Sequence, residues 1–335
     1  MKAVGYQQSL PSDNPKALVD IELKRPTPGA TDLLVQISAI AVNPVDTKIR
    51  QRTEPESGYK VLGWDAVGTV VETGSSASGF STGDRVWFAG DVTRSGCNAE
   101  FQCVDYRIAA KAPHSLTDEQ AAALPLTSIT AWELLFERLQ IQQPGKPRTL
   151  LVIGGAGGVG SILIQLAKTF SQATVIATAS RPESQQWVTS LGADHVIDHS
   201  QDLTAQINAL NIGAITDAAC LTHTDQHFSN VAEIIAPQGR VALIDDPEQD
   251  IDVSLLKQKS VSLHWEFMFT RSMFATDDMI EQQRLLEQVA AAVDAGKLVT
   301  TVGKNYGTIN AENLRRAHHD IEQHKTIGKI VLVGF

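Results

Sequence analysis

The chain is poor in cysteine: Cys97, Cys103 and Cys220 are all it has in 335 residues. No two of them form a C-x-x-C pair, so neither a disulfide framework nor a thiolate metal cluster is encoded, and scattered thiols suit a reducing compartment. It also lacks a surplus of positive charge. Its 28 Lys and Arg against 38 Asp and Glu leave a formal net charge of −10, which argues against general affinity for nucleic acid or anionic membrane. No apolar run is long enough to cross a bilayer. The opening stretch "MKAVGYQQSLPSDNPK" has no long apolar core and no small-residue cleavage site, so the cytoplasm is the expected location. Internal repeats and low-complexity tracts are absent too.

What is present divides in two, as a chain of this length usually does. The first third holds short β-branched runs, "AVGYQ", "LLVQISAIAV", "AVGTVVETG" and "DRVWFAG", separated by Gly, Pro, Ser and Asp. That pattern predicts a small, partly closed antiparallel barrel. "SLTDEQAAALPLTSITAWELLFERL" then takes a helical period, with Ser115 and Thr117 as candidate N-caps, an interruption at Pro125 and an end near Leu139. "PGKPR" (144–148) breaks the chain. Beyond it, six strand-like runs alternate with helical ones: "TLLVI", "ATVIATAS", "HVIDH", "ITDAAC", "GRVALID" and "SVSLHWEF". Such alternation predicts a parallel, doubly wound sheet. Two helices, "MIEQQRLLEQVAAAVDAG" and "NAENLRRAHHDIEQ", and a strand, "GKIVLVGF", close the sequence.

Within "LLVIGGAGGVGSILIQLAK" (150–168) stands G-x-G-x-x-G, made of Gly155, Gly157 and Gly160 with Ala156, Gly158 and Val159 between them. It follows an apolar strand and opens a helix, the context that gives the pattern meaning. One glycine serves the tight turn, one the approach of a pyrophosphate and one close helix packing. The helix N-terminus adds N–H groups and a positive dipole end for phosphate. NAD sites place Asp or Glu about 20 residues on. Here the second strand ends in Ala179, Ser180 and Arg181, with no carboxylate from Phe170 to Pro182. A hydroxyl and a guanidinium suit a ribose 2′-phosphate, so NADPH is favoured over NADH.

These motifs, with "AVNPVDTKIR" (41–50), "LGWDAVGTVVETG" (62–74), "FSTGDRVWFAG" (80–90), "LPLTSITAWELL" (124–135), "LGADHVID" (191–198) and "TIGKIVLVG" (326–334), resemble the medium-chain dehydrogenase/reductase superfamily over essentially the whole chain. Its zinc-free quinone oxidoreductase branch, which includes bacterial zinc-type alcohol dehydrogenase-like proteins, is the nearest match in pattern. The resemblance implies an α/β protein: a catalytic, GroES-like, partly closed β-barrel domain over 1–126 and 268–335, and a Rossmann NADP-binding domain over 127–267. It also implies a homodimer paired through "SVSLHWEF".

The family's zinc ligands are not in their places. Asn43 stands where a Cys would be and Trp64 where a His would be, neither a substitute on Zn²⁺; the four cysteines of the structural zinc lobe are missing, with only Cys97 nearby. Zinc is therefore not expected. Without that electrophile, a conjugated acceptor is the easier substrate, since hydride addition to a quinone or enone needs only hydrogen-bond donors at the carbonyl oxygen. The resemblance places Asn43 and Thr127 near the nicotinamide with Thr130, and Phe269 beside the coenzyme. Asn43 then contacts substrate or ribose, and Asp46 orients the loop; both are equally ordinary turn builders. Lys48, where many relatives carry Tyr, either donates to the developing enolate or points to water. Arg271 either meets an anion or forms an ion pair, and Trp64 with Phe269 either walls a cleft or is core. Two rivals stand beside the quinone or enone reductase: a zinc alcohol dehydrogenase with atypical ligands, and an NADPH-binding, redox-sensing protein with little turnover.

Overall fold

The computed structural model describes residues 1–142 and 147–335; the first three residues of "PGKPR" lie outside the described residues. Two compact units are present, residues 1–129 with 269–335, and residues 130–268. In chain order the first opens with β1 (Lys2–Tyr6), β2 (Val19–Glu22), β3 (Asp32–Val42), α1 (Pro44–Arg52), β4 (Lys60–Val61), β5 (Ala66–Thr73), β6 (Arg85–Phe88), β7 (Phe101–Asp105), β8 (Ala109–Lys111) and α2 (Asp118–Ala122). Next is α3 (Pro125–Trp132), which runs on as a π-helical stretch over Glu133–Arg138. The second unit holds β9 (Thr149–Ile153), α4 (Gly158–Phe170), β10 (Thr174–Thr178), α5 (Pro182–Ser190), β11 (His195–Ile197), α6 (Leu203–Leu210), β12 (Ile215–Cys220), α7 (Thr224–Ile234), β13 (Ile235–Leu243) and β14 (Ser262–Trp265). The chain ends with α8 (Thr270–Met273), α9 (Glu281–Asp294), β15 (Val302–Asn305), α10 (Ala311–Glu322) and β16 (Lys329–Val333). Among the described residues no helix is long and apolar enough to cross a membrane.

The β-rich unit is not a closed barrel. Its strands form a three-stranded sheet, β2-β1-β4, and a seven-stranded one, β15-β16-β3-β5-β6-β8 with β7 also on β3. Ala3 of β1 also forms an isolated antiparallel bridge with Ala99, just before β7. Trp64, Trp87, Phe88, Leu33 and Leu34 are wholly buried in its core. Two antiparallel pairings bring distant parts of the sequence side by side. β16 on β3 sets Ile330 opposite Val42, and β3 on β5 sets Ile40 opposite Ala66. The residues just beyond these pairs, Lys329, Asn43 and Asp65, therefore converge from three strand ends.

Several helix starts follow capping chemistry. Thr117, not Ser115, caps α2: its side chain accepts from the Gln120 N–H, as an N-cap hydroxyl does, whereas Ser115 donates its own N–H to Asp294. α1 occupies part of what read as a loop. Pro44 at its first position and Asp46, whose carboxylate accepts from the Asn43 N–H at 2.6 Å, are start signals of the usual kind.

The second unit is a six-stranded parallel sheet in the order β11-β10-β9-β12-β13-β14. Leu151, Ile153, Ile176, Ala218, Val231 and Val241 are among its core residues. Strand order reverses beside β9, between β10 on one side and β12 on the other. In open sheets of this kind ligands bind past the carboxyl ends of the strands at that reversal.

Candidate functional site

The turn after β9 shows a division of labour among its glycines. Gly154 has φ +84°, and a Cβ there would lie 2.7 Å from Thr222 Cγ2. A Cβ on Gly155 would come 2.9 Å from that of Ala177, and one on Gly160 would sit 2.5 Å from the Gly155 carbonyl oxygen. These positions are closed by the protein itself. Gly157 is different: its backbone is extended, with φ −72°, and a Cβ would meet nothing nearer than 3.7 Å. No protein atom demands glycine at 157, so the space a side chain would fill suits a closely approaching phosphate. Ala156, Gly158 and Val159 are half-buried around the turn, and α4 begins at Gly158 with its N–H groups toward the same end.

At the end of β10, Thr178 and Ala179 are buried and Ser180 and Arg181 half-buried. Arg181 caps α5, and its guanidinium lies 3.5 Å from Glu183, with 40% and 58% of the two side chains exposed. A long, solvated pair of this kind holds little energy, and a phosphate dianion can take the guanidinium from it.

In the first unit the strand ends bring four charged or polar side chains together. Asn43, Asp46, Asp65 and Lys329 are all buried. The Lys329 ammonium donates to Asp65 Oδ2 at 2.9 Å, to the Val42 carbonyl at 3.2 Å and to Asn43 Oδ1. The Asn43 amide donates to Asp65 Oδ2 at 3.2 Å and to the Ala41 carbonyl at 3.3 Å. Asp65 Oδ1 accepts from the Leu126 N–H at 3.0 Å. Burial pushes the Asp65 carboxyl up, against the pull of Lys329 and then of Leu126. Burial likewise raises Asp46 to about 7, opposed by the Asn43 N–H and by Lys329. Sequence did not single out Asp65, and it set Lys329 in the family pattern without a catalytic role. The signal was available in "GWD" and "GKIVLV", but 264 residues separate them.

The donors of Asn43 are thus spent inside the protein, as is the Thr127 hydroxyl, which donates to the Leu124 carbonyl at 3.1 Å. Thr130 is buried in α3 and Lys48 half-buried on α1. Trp64 and Phe269 are buried: their rings meet edge-to-face at 6.4 Å, and the indole donates to the Asp91 carbonyl at 3.0 Å. Arg271 forms an ion pair with Asp278 at 2.9 Å.

A zinc ion does not fit this donor set. The carboxylate is already paired with an ammonium, the indole N–H has no lone pair to offer, and burial holds the Cys97 thiol well above its ordinary value.

Two family models match the chain: the alcohol dehydrogenase GroES-like domain over residues 29–114, and a zinc-binding dehydrogenase model over residues 191–332. A zinc-type alcohol dehydrogenase-like protein of Staphylococcus aureus (strain MSSA476) is 38% identical over 335 residues, 99% of each chain. The 2-methylene-furan-3-one reductase of Solanum lycopersicum is 36% identical over 181 residues, 51% of this chain and 45% of that one. A crystal structure of a Rhizobium etli CFN 42 protein, proposed to be a zinc-dependent alcohol dehydrogenase, is 50% identical with a TM-score of 0.98, covering 100% of this chain and 98% of that one. A mycobacterial protein solved with NADPH is 28% identical with a TM-score of 0.85, covering 99% and 100%.

Proposed function

Since the chain belongs to the medium-chain dehydrogenase/reductase superfamily and is an oxidoreductase of that family, we propose that it transfers hydride from NADPH to quinones or α,β-unsaturated carbonyl compounds without zinc. The observation that carries this reading is the Lys329–Asp65–Asn43 cluster, whose charges are already matched. With no donor set for a Lewis acid among the described residues, an acceptor that spreads the incoming charge by conjugation is the substrate class that fits. The resemblance to an NADPH-bound mycobacterial protein and to an enone reductase of tomato agrees with both halves of the reading.

NADPH supplies the hydride when bound. The chain's own part is to bind and orient. The turn over Gly155–Gly160 and the start of α4 take the pyrophosphate, and Ser180 with Arg181 the ribose phosphate. To Lys48 we assign donation to the acceptor oxygen, with Thr127, Thr130 and Phe269 around the coenzyme. Asn43 and Asp46 shape the loop before α1. In this reading 1–126 with 268–335 is the catalytic domain, 127–267 binds coenzyme, and the protein works as a cytoplasmic homodimer through the β14 edge.

The test is coenzyme oxidation by metal-stripped protein with NADPH or NADH, against quinones, enones and simple aldehydes. Turnover of quinones or enones with NADPH, unchanged by chelator, is expected. Activity confined to aldehydes or alcohols and lost on chelation would restore the zinc alcohol dehydrogenase reading, which the names of the staphylococcal and Rhizobium relatives favour. Tight NADPH binding with no turnover on any acceptor would instead mark a binding or redox-sensing protein.

A further inference from the structure

The cluster at the strand ends has a second property besides matched charge. It holds an amine, a carboxamide and a carboxyl in mutual contact, out of water. Each comes from a different strand end: Asn43 follows β3, Asp65 precedes β5 and Lys329 opens β16. The pairings of Ile330 with Val42 and of Ile40 with Ala66 fix their backbones. Asn43, Asp65 and Lys329 are 1%, 0% and 3% exposed.

The contacts close a triangle. Lys329 Nζ touches Asn43 Oδ1, the oxygen on the carboxamide carbon, and lies 2.9 Å from Asp65 Oδ2. Asn43 Nδ2 donates to the same Asp65 Oδ2 at 3.2 Å. One carboxylate oxygen therefore reaches both an amine and the amide nitrogen that an amine can displace. The other ends are held from outside. Asp65 Oδ1 accepts from the Leu126 N–H at 3.0 Å, and Asn43 Nδ2 also donates to the Ala41 carbonyl at 3.3 Å. Asp46, the fourth buried group, accepts from the Asn43 N–H at 2.6 Å and so holds that residue's backbone.

Two physical effects favour reaction over simple pairing. Separated charge is costly out of water, so the ammonium can pass its proton to Asp65 and leave a neutral, nucleophilic amine beside a carboxylic acid. Burial pushes the Asp65 carboxyl up, in that direction. Strand register, moreover, holds the reactants together permanently, and such proximity offsets the poor reactivity of an amide toward an amine.

We propose that Lys329 and Asn43 join in an isopeptide bond, with Asp65 as the group that moves the protons, so that β3 and β16 become covalently linked. Asp65 first takes a proton from the Lys329 ammonium. The freed amine attacks Asn43 Cγ, and the Nζ–Cγ bond forms. Asp65 gives its proton to Nδ2 and receives one from Nζ as the Cγ–Nδ2 bond breaks. Ammonia leaves, an amide N–H remains on Nζ, and Asp65 stays protonated. The buried ion pair is thereby replaced by neutral groups. No co-reactant is consumed, and the inference stands apart from the choice of coenzyme and acceptor.

The experiment is mass spectrometry of the full chain, freshly purified and again after prolonged storage in the folded state, followed by tryptic mapping. Linked protein is lighter than its sequence by one ammonia. Its map should show no cleavage at Lys329 and should join the peptide ending at Lys48, which carries Asn43, to the peptide carrying Lys329. Lys329→Arg keeps a cation for Asp65 but offers no amine nucleophile, and Asp65→Asn removes the acid; both should give the unmodified mass and separate peptides. Because the bond closes a loop between residues 286 apart, the wild-type chain should also migrate apart from both variants in a denaturing gel. The wild-type map decides the matter even where a variant fails to fold. Full sequence mass with cleavage at Lys329, in the fresh and the stored protein alike, would overturn the proposal and leave the cluster an ion pair. Loss of one water with Lys329 joined to Asp65 would overturn Asn43 as the electrophile. Loss of ammonia that persists in Lys329→Arg, with no joined peptides, would overturn it too, as an asparagine closing on its own backbone.

Discussion

Gly157 and Lys329 separate function from stability at the level of single residues. A methyl group on Gly157 has room in the protein and an extended backbone that any residue adopts. Gly157→Ala should therefore leave stability unchanged or raise it by up to about 1 kcal/mol through the unfolded chain, while weakening NADPH at least roughly tenfold by filling the phosphate's space. Thermal unfolding and coenzyme titration on one sample distinguish the two effects; unaltered coenzyme affinity would show that the turn faces no ligand at 157. The opposite holds for Lys329, whose loss strands Asp65 as a buried carboxylate. Lys329→Met should cost about 3–5 kcal/mol in denaturant unfolding, and most of that loss should return in the Lys329→Met/Asp65→Asn double variant. If the single change is neutral, the cluster does not hold the three strand ends together. The Asn43 amide, whose donors sequence reasoning offered to substrate, is bonded to Asp65 and Ala41. No local pattern could foretell that, because its partners arrive by strand pairing rather than by spacing.

Elements differ in how plainly the sequence announces them. β9, α4, β12 and β16 have long apolar runs or strong periodicity and were legible. α1 and α6 were not: "NPVDTKIRQR" carries few apolar residues, "LTAQINAL" carries a helical stripe in Leu203, Ile207 and Leu210 but is only 8 residues long, and their N-caps, Asn43 and Asp202, read equally well as turn residues. β14 is the exposed edge of its sheet, and Trp265 and Phe267 beside it are 53% and 48% exposed. Two large apolar side chains on an open edge favour coverage by a partner strand. If the proposed homodimer forms there, Trp265→Glu should shift the mass measured by light scattering from dimer to monomer at micromolar concentration, with each monomer's circular dichroism preserved. A wild-type protein that is already monomeric would remove that assignment.

For the whole molecule, stability should depend on pH through a buried carboxyl pair. Arg138 donates to Glu266 at 2.8 Å, but Glu133 shares the same pocket. Burial first, and Glu133 second, push Glu266 up to about 9. The folded chain then keeps a proton that the unfolded chain has lost above its ordinary glutamate range. Stability falls as pH rises from that range through about 9, by at most about 1.4 kcal/mol per pH unit, and levels off beyond. Chemical denaturation at intervals between about pH 7 and 9 should show this fall, and Glu266→Gln should remove it. An unchanged slope in the variant would assign the dependence to other groups.

The sequence by itself determined the fold class and the glycine turn between β9 and α4, because apolar periodicity and glycine spacing are local properties that survive in one dimension. It also determined that the zinc ligands are not in their family positions, since ligand identity is written in residue type. Only the tertiary structure decided what occupies that ground instead. Asn43, Asp65 and Lys329 lie at the ends of three separate strands, and the register of β16 and β5 on β3 is what brings an ammonium to a carboxylate. Long-range pairing sets such meetings, and the residues that take part carry no mark of it in their own surroundings.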